Sequence, residues 1–227
     1  VAYGLALARA VEAALGVEAP PRASHLRALM AEMERIANHL GDFGAVCNDA
    51  SFALIQAHCA VLREKVLRAA HTAFDHRLMR DRIVPGGVTT DIAADGIAAI
   101  RSLIADIKAL FPALVELYDN TASLQDRTVT TGTVQPDLAR QYASGGYVGR
   151  ASGRNFDVRR NLAYAPYDKL AFEVPVLEAG DVNARIWIRI REIEQSLSLI
   201  AQLLDRMPQG ALQIDLPTAT APCEGMA

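Results

Sequence analysis

HLRALMAEMERIANHLGDFGAVCNDASF, residues His25 to Phe52, is the stretch that decides the fold. Leu26, Leu29, Met30, Met33, Ile36, Ala37 and Leu40 recur every three or four positions, the apolar stripe of a core-facing helix. Glu32, Arg35 and His39 fall at i, i+3 and i+7, so they share a helical face beside that stripe rather than opposite it. The spacing supports two readings: an intrahelical ion pair at the edge of the core, or a hydrogen-bonded trio in which His39 changes charge near neutral pH. The helix is expected to end at the polar corner Cys47-Asn48-Asp49, with Asp49 beyond it. Asp49 there is either an N-cap for the next helix or a carboxylate at a helix end that relays protons.

The same periodicity continues outward. Residues 2–16 read as a helix closed by Gly16, and Ser24 as the cap of the central one. Residues 51–80 and Asp91–Tyr118 read as two more long helices, with a turn at Pro85-Gly86-Gly87 between them and a kink expected at Pro112. Asp181 opens a last helix reaching about Arg206, striped by Val182, Ile186, Ile190, Ile193, Leu197, Ile200 and Leu204. Asn120 to Pro166 differs, being rich in Thr, Gly, Ser, Arg and Asn. A short helix is expected at Pro136–Ala143, with short strands near Thr128–Thr131 and Leu170–Val174. The expected architecture is mainly α. One domain, 1–227, forms a bundle of four or five long helices, and an irregular, partly β polar insertion spans 120–180.

Composition excludes several function classes. A net charge of −3 argues against nucleic acid as a partner. No run of about 18 uncharged apolar residues exists to span a bilayer. There is no dinucleotide-binding fingerprint and no phosphate loop. Cys47, Cys59 and Cys223 form no C-x-x-C pair and suit a reducing, cytoplasmic setting, and His58, His71 and His76 never stand at i, i+4. The chain opens at Val1-Ala2-Tyr3 without Met and stops after Ala221–Ala227, and is expected to be an internal piece of a longer protein.

The segment Arg150-Ala-Ser-Gly-Arg-Asn-Phe-Asp-Val-Arg-Arg160 is the second dense site. Its arginines suit an anion or bidentate clamps to neighbouring helices. On the last helix Arg185, Arg189 and Glu192 share one face and are expected to pair with Asp157 or Glu32 across the bundle.

In order along the chain, PPRASHLRALMAEMERIANHLGDFGAVCNDASF, LREKVLRAA, RIVPGGV, RASGRNFDVRR and GDVNARIWIRIREIEQSLSLIAQLLDRMPQG resemble one superfamily. It comprises the large subunit of energy-converting [NiFe] hydrogenases and the quinone-site subunit of respiratory complex I. The hydrogenases hold nickel through R-x-C-G-x-C and D-P-C-x-x-C, and neither motif is present here. Tyr3 stands where a family His would, so no metal and no cofactor is expected in this chain, with a Ni-Fe centre or a quinone belonging to the parent. The resemblance implies a hydrogenase-like oxidoreductase coupling electron transfer to proton chemistry, with quinone reduction or a cysteine-less scaffold as alternatives. It implies an iron–sulfur small subunit and membrane subunits as partners, at the inner face of a membrane, with NAD bound elsewhere. Asp49 is similar to the complex I acid linked to a His and a Tyr, both upstream of Val1. Glu32, Arg35 and His39 also match family positions. Arg150, Ser152, Gly153, Asp157 and Arg159 match too, and their implied role, with Arg185 and Arg189 beside them, is architectural or interfacial.

Overall fold

The computed structural model describes residues 1–227, and helices dominate it. Helix α1 (Ala2–Leu15) ends at Gly16, whose left-handed backbone returns its N–H to Ala13 and Glu12 carbonyls. Helix α2 (Pro21–Asp49) starts with proline at its first turn, where the missing N–H costs nothing. It takes in Asp49, expected to lie beyond its end. It runs through Gly41 and Gly44 to Asp49, and α3 (Ala53–Phe74) packs tightly against it at Gly44. A Cβ at Gly44 would stand 3.0 Å from Cys59 Cβ and 3.1 Å from Gln56 Cα. Gly44 is therefore a contact point between the two helices.

Helix α3 ends at Phe74, six residues before its expected limit. Arg82 donates to the Phe74 and Asp75 carbonyls at 2.7 and 3.0 Å, and the His76 ring accepts the Leu78 N–H at 3.0 Å. Side chains thus satisfy the groups that a longer helix would have paired. A hairpin follows, β1 (Ile83–Val84) against β2 (Gly87–Val88), with Ile83 opposite Val88. Helix α4 (Ala94–Asn120) continues through Pro112. The last helix, α9 (Val182–Asp205), is capped by Asp181, which accepts the Ala184 N–H at 2.7 Å.

Helices α2, α3, α4 and α9 share one core. Phe43 meets Phe111 and Tyr118 edge-on at 5.9 and 5.6 Å, and Tyr118 meets Trp187 at 6.4 Å, so one aromatic chain joins α2, α4 and α9.

The insertion holds short helices rather than strands: α5 (Ala122–Thr128), α6 (Pro136–Gln141), α7 (Gly146–Ala151) and α8 (Val158–Asn161), then a single turn at Tyr167–Lys169. Thr128 closes α5 by donating its hydroxyl to Leu124 O at 2.8 Å. The stretch near Leu170–Val174 is extended but has no partner strand. Glutamines of α9 take that place: Gln202 accepts from Ala171 N–H at 3.0 Å and donates to its carbonyl at 2.8 Å, and Gln195 accepts from Glu173 N–H at 2.9 Å. No helix is long and apolar enough to cross a membrane.

Candidate functional site

Glu32 sits on the face of α2 that meets α9 and the insertion, with 0% exposure. Arg159 of α8 gives its Nη1 to both Glu32 oxygens at 2.9 and 3.1 Å and its Nε and Nη2 to Asp157 at 3.0 and 2.8 Å. Asp157 also caps α8, accepting the Arg159 N–H at 2.9 Å. Asp157 lies 3.6 Å from Arg150 as well. Arg150 in turn pairs with Glu192 of α9 through Nη2 and through Nε at 2.7 Å. Arg35 closes the circuit, 3.4 Å from Glu192 and 3.5 Å from Glu32. Glu32, Arg159, Asp157, Arg150, Glu192 and Arg35 thus form a closed ring of alternating charge drawn from α2, α7, α8, α9 and the loop before α8.

Three carboxylates face three guanidiniums, so the ring is neutral, as burial demands. Tyr167 and Ser196 fill the remaining Glu32 lone pairs with hydroxyl donors at 2.7 and 2.6 Å. Burial pushes the Glu32 carboxyl up, but Arg159, Arg35 and the two hydroxyls outweigh it and hold the group below its usual range. Asp157 is likewise lowered, its burial overcome by Arg159 first, then Arg35 and Arg150. Glu192 falls to about 2 against the same burial penalty, through His39, Arg150 and Arg35. Burial opposes the charge on Arg159, yet Glu32 and Asp157 drive its pKa up. All three carboxylates are therefore ionised at neutral pH.

His39 is the one ring neighbour that can change state there. Its Nε2 lies 2.6 Å from Glu192, and because that carboxylate is ionised, Nε2 carries the hydrogen and donates. Burial lowers the His39 pKa; the Glu192 bond opposes this, and Arg35 and Arg189 reinforce it. The imidazole is thus neutral at pH 7, and its Nδ1 is a buried acceptor without a partner.

The other residues singled out by sequence fall elsewhere. Asp49 is the exposed last residue of α2. It does not cap α3, whose N-cap is Phe52 with no side-chain bond. It lies ten residues beyond His39, about 15 Å along the helix axis. Arg185 does not reach Asp157, which Arg159 and Arg150 already occupy. It donates to Gly132 and Gly180 carbonyls at 3.1 and 2.7 Å. Arg189 pairs with Asp42 at 3.2 Å and lies over the Tyr147 ring at 3.6 Å. Ser152 Oγ is buried without a partner, and Gly153 takes a left-handed conformation while its N–H reaches Leu177 O at 2.7 Å.

Sequence reading missed Tyr167, Ser196, Glu12 and Arg27. Buried Glu12 and Arg27 pair at 2.6 and 3.0 Å and hold the hairpin backbone. Glu12 accepts the Gly86 N–H at 2.8 Å, and Arg27 donates to Gly87 and Val84 carbonyls at 3.1 and 2.6 Å. Gly87 has a separate reason in the same turn, since a Cβ there would lie 2.0 Å from Leu212 O. The signal was available: Glu12 follows Leu5 and Ala8 on an apolar stripe, as Glu32 does on α2. Ser196, one turn past Glu192, was also findable; Tyr167 carried no signal.

Burial pushes the Cys47 and Cys59 thiols up to about 12, Cys47 adding to the shift at Cys59, while Cys223 is exposed. No group of three or more His, Cys, Asp or Glu is placed to hold a metal ion. A nickel centre does not fit the residues of this chain.

The fold is thus a bundle of long helices with a polar insertion locked to it by buried charge. One solved chain is similar over nearly all of this one: a component of the membrane-bound sulfane sulfur reductase, an archaeal respiratory membrane complex. The match has a TM-score of 0.87 at 28% identity, over 94% of this chain and 58% of that one. The chain belongs to the family described as the 49 kDa subunit of respiratory-chain NADH dehydrogenase, which matches residues 52–226. An NADH-quinone oxidoreductase subunit from Desulfotalea psychrophila is 33% identical over 212 residues, 93% of this chain and 57% of that protein. Its counterpart in the NADH-quinone oxidoreductase of Roseiflexus sp. is 35% identical over 204 residues, 89% of this chain and 54% of that protein. The chain thus spans little more than half the length of these relatives.

Proposed function

We propose that this chain is the helical core of the quinone-site subunit of a membrane-associated respiratory oxidoreductase. The observation that carries this reading is the family match over residues 52–226, which favours the quinone reductase over the hydrogenase and the scaffold. Electrons arrive from an iron–sulfur cluster on a partner subunit, and the whole sits against the membrane through other subunits. The chain's own share is structural and protonic. The charge ring holds the insertion on the bundle, His39 is its titratable edge, and Asp49, exposed and unpaired, is the carboxylate free to exchange protons with a neighbouring subunit.

The test is to isolate the complex through this subunit, then measure quinone-dependent oxidation of its donor and nickel by elemental analysis. Quinone reduction without stoichiometric nickel is expected. Stoichiometric nickel with hydrogen evolution would establish the hydrogenase instead.

A further inference from the structure

The outer seam between α2 and α3 holds a groove of about 350 Å³, lined entirely by residues of these two helices. Asn38, Gly41 and Asp42 come from α2, and Gln56, Ala60, Arg63 and Glu64 from α3. Spacings of three and four residues put each set on one helical face. Gly41 shapes the groove. A Cβ there would stand 3.3 Å from Arg63 Cδ and 3.4 Å from its Nε, so the Arg63 side chain lies across α2 instead of reaching straight into solvent.

The charges of this groove do not balance. Asp42 is taken by Arg189 at 3.2 Å. Glu64 accepts from Arg68 at 3.0 Å and from Arg77 at 3.0 and 2.8 Å. Arg63 is half-buried, makes no salt bridge and no hydrogen bond, and keeps its nitrogens open to solvent. Two carboxylates thus answer four guanidiniums, those of Arg63, Arg68, Arg77 and Arg189, a surplus of two positive charges. The exposed carboxamides of Asn38 and Gln56 are without partners as well. Backbone N–H groups on the lining are spent inside the helices, so these three side chains are the free donors. A partly desolvated cation calls for a counter-charge, and the chain supplies none at Arg63.

The chemistry of the occupant follows from these groups. A guanidinium presents paired N–H groups in a planar fork, which a carboxylate meets at two points. A carboxamide can donate its N–H to a second carboxylate. Arg63 and Gln56 stand seven residues apart, about 10.5 Å along the axis of α3, so donors at the two ends suit anionic groups joined by a short chain. Ala60 lies between them and offers that chain a small apolar surface. The surplus of two charges matches a dianion. We propose that this groove binds a short aliphatic dicarboxylate, one carboxylate held by the Arg63 fork beside the Asn38 carboxamide and the other by Gln56. The site is separate from the quinone chemistry proposed above and does not depend on it.

The test is calorimetric titration of the full chain with adipate at low ionic strength. Saturable one-to-one binding is expected. Hexanoate, which lacks the second carboxylate, should bind about tenfold more weakly, the loss of one charge-assisted contact. Inorganic phosphate, which cannot span the two ends, should also bind about tenfold more weakly. Arg63→Gln has no partner within the chain to strand, so it should keep the melting temperature and weaken adipate by about tenfold or more. Gln56→Ala should bring adipate down to the affinity of hexanoate and leave hexanoate unchanged. No saturation at millimolar adipate, equal affinity for hexanoate or phosphate, or undiminished binding by Arg63→Gln would each overturn the site. Because no electron transfer is read, failure here leaves the respiratory assignment standing, and failure of that assignment leaves this one.

Discussion

The bundle and the insertion are held by opposite means. Where α2, α3, α4 and α9 meet, the contacts are apolar and aromatic: Leu29, Met33, Ile36, Phe43 and Tyr118 are all fully buried. Where the insertion meets α2 and α9, the contacts are charged: Arg150, Asp157 and Arg159 reach Glu32 and Glu192. Apolar burial is additive and tolerant of a lost methyl group. A ring of charges is not, since removing one member strands its partners in a low-dielectric interior. The insertion should therefore respond to single changes and to pH far more abruptly than the bundle.

The largest effect is expected from Arg159→Met, which leaves Glu32 and Asp157 buried without their shared cation. It should cost about 3–5 kcal/mol, and the loss should concentrate in residues 150–170. Thermal melting with hydrogen exchange will show whether those amides lose protection before α3 and α4 do. Uniform loss across the chain would mean that the insertion and the bundle unfold as one unit.

Leu29→Ala makes the complementary break in the bundle. It should cost about 2–4 kcal/mol, spread over the whole cooperative unit, with the insertion no worse affected than the helices. Denaturant midpoints followed by a bundle probe and an insertion probe should move together.

Acid provides the third comparison. His39 has a depressed folded pKa, so the unfolded chain binds its proton first, and stability falls as pH drops below the ordinary value of 6.5. Glu192 is depressed from 4.5 to about 2, so its contribution is complete above 4.5 and lost between 4.5 and 2. Two descending steps are expected in melting temperature against pH. His39→Gln should abolish the upper one and keep the lower.

The smallest structural effect belongs to Asp49→Asn, because the side chain is exposed and unpaired. Its melting temperature should match the parent's. In the assembled complex, quinone reduction should nonetheless fall, and a full rate would remove Asp49 from proton transfer.

Much of this was legible beforehand. The stripes of α2 and α9 announce themselves because a helix repeats every 3.6 residues and a core selects for apolar side chains. Glu32, Arg35 and His39 were recognisable as charge beside a stripe. The part played by Gly44 was not, since which helix packs against it is a matter of tertiary contact. The expected strands failed for a related reason: residues near 170–174 are extended, but a strand needs a partner, and glutamine side chains met those backbone groups instead.

What the sequence alone determined is the helical bundle and the residue types of the charged sites, because periodicity and composition are local properties. What only the tertiary structure decided is which charges meet. Arg159 stands 127 residues from Glu32, and Glu192 stands 153 from His39. Pairing over such separations is set by how the insertion folds back onto α2 and α9. The neutrality of the ring, and the unpartnered His39 nitrogen beside it, follow from that closure and from nothing written at any single position.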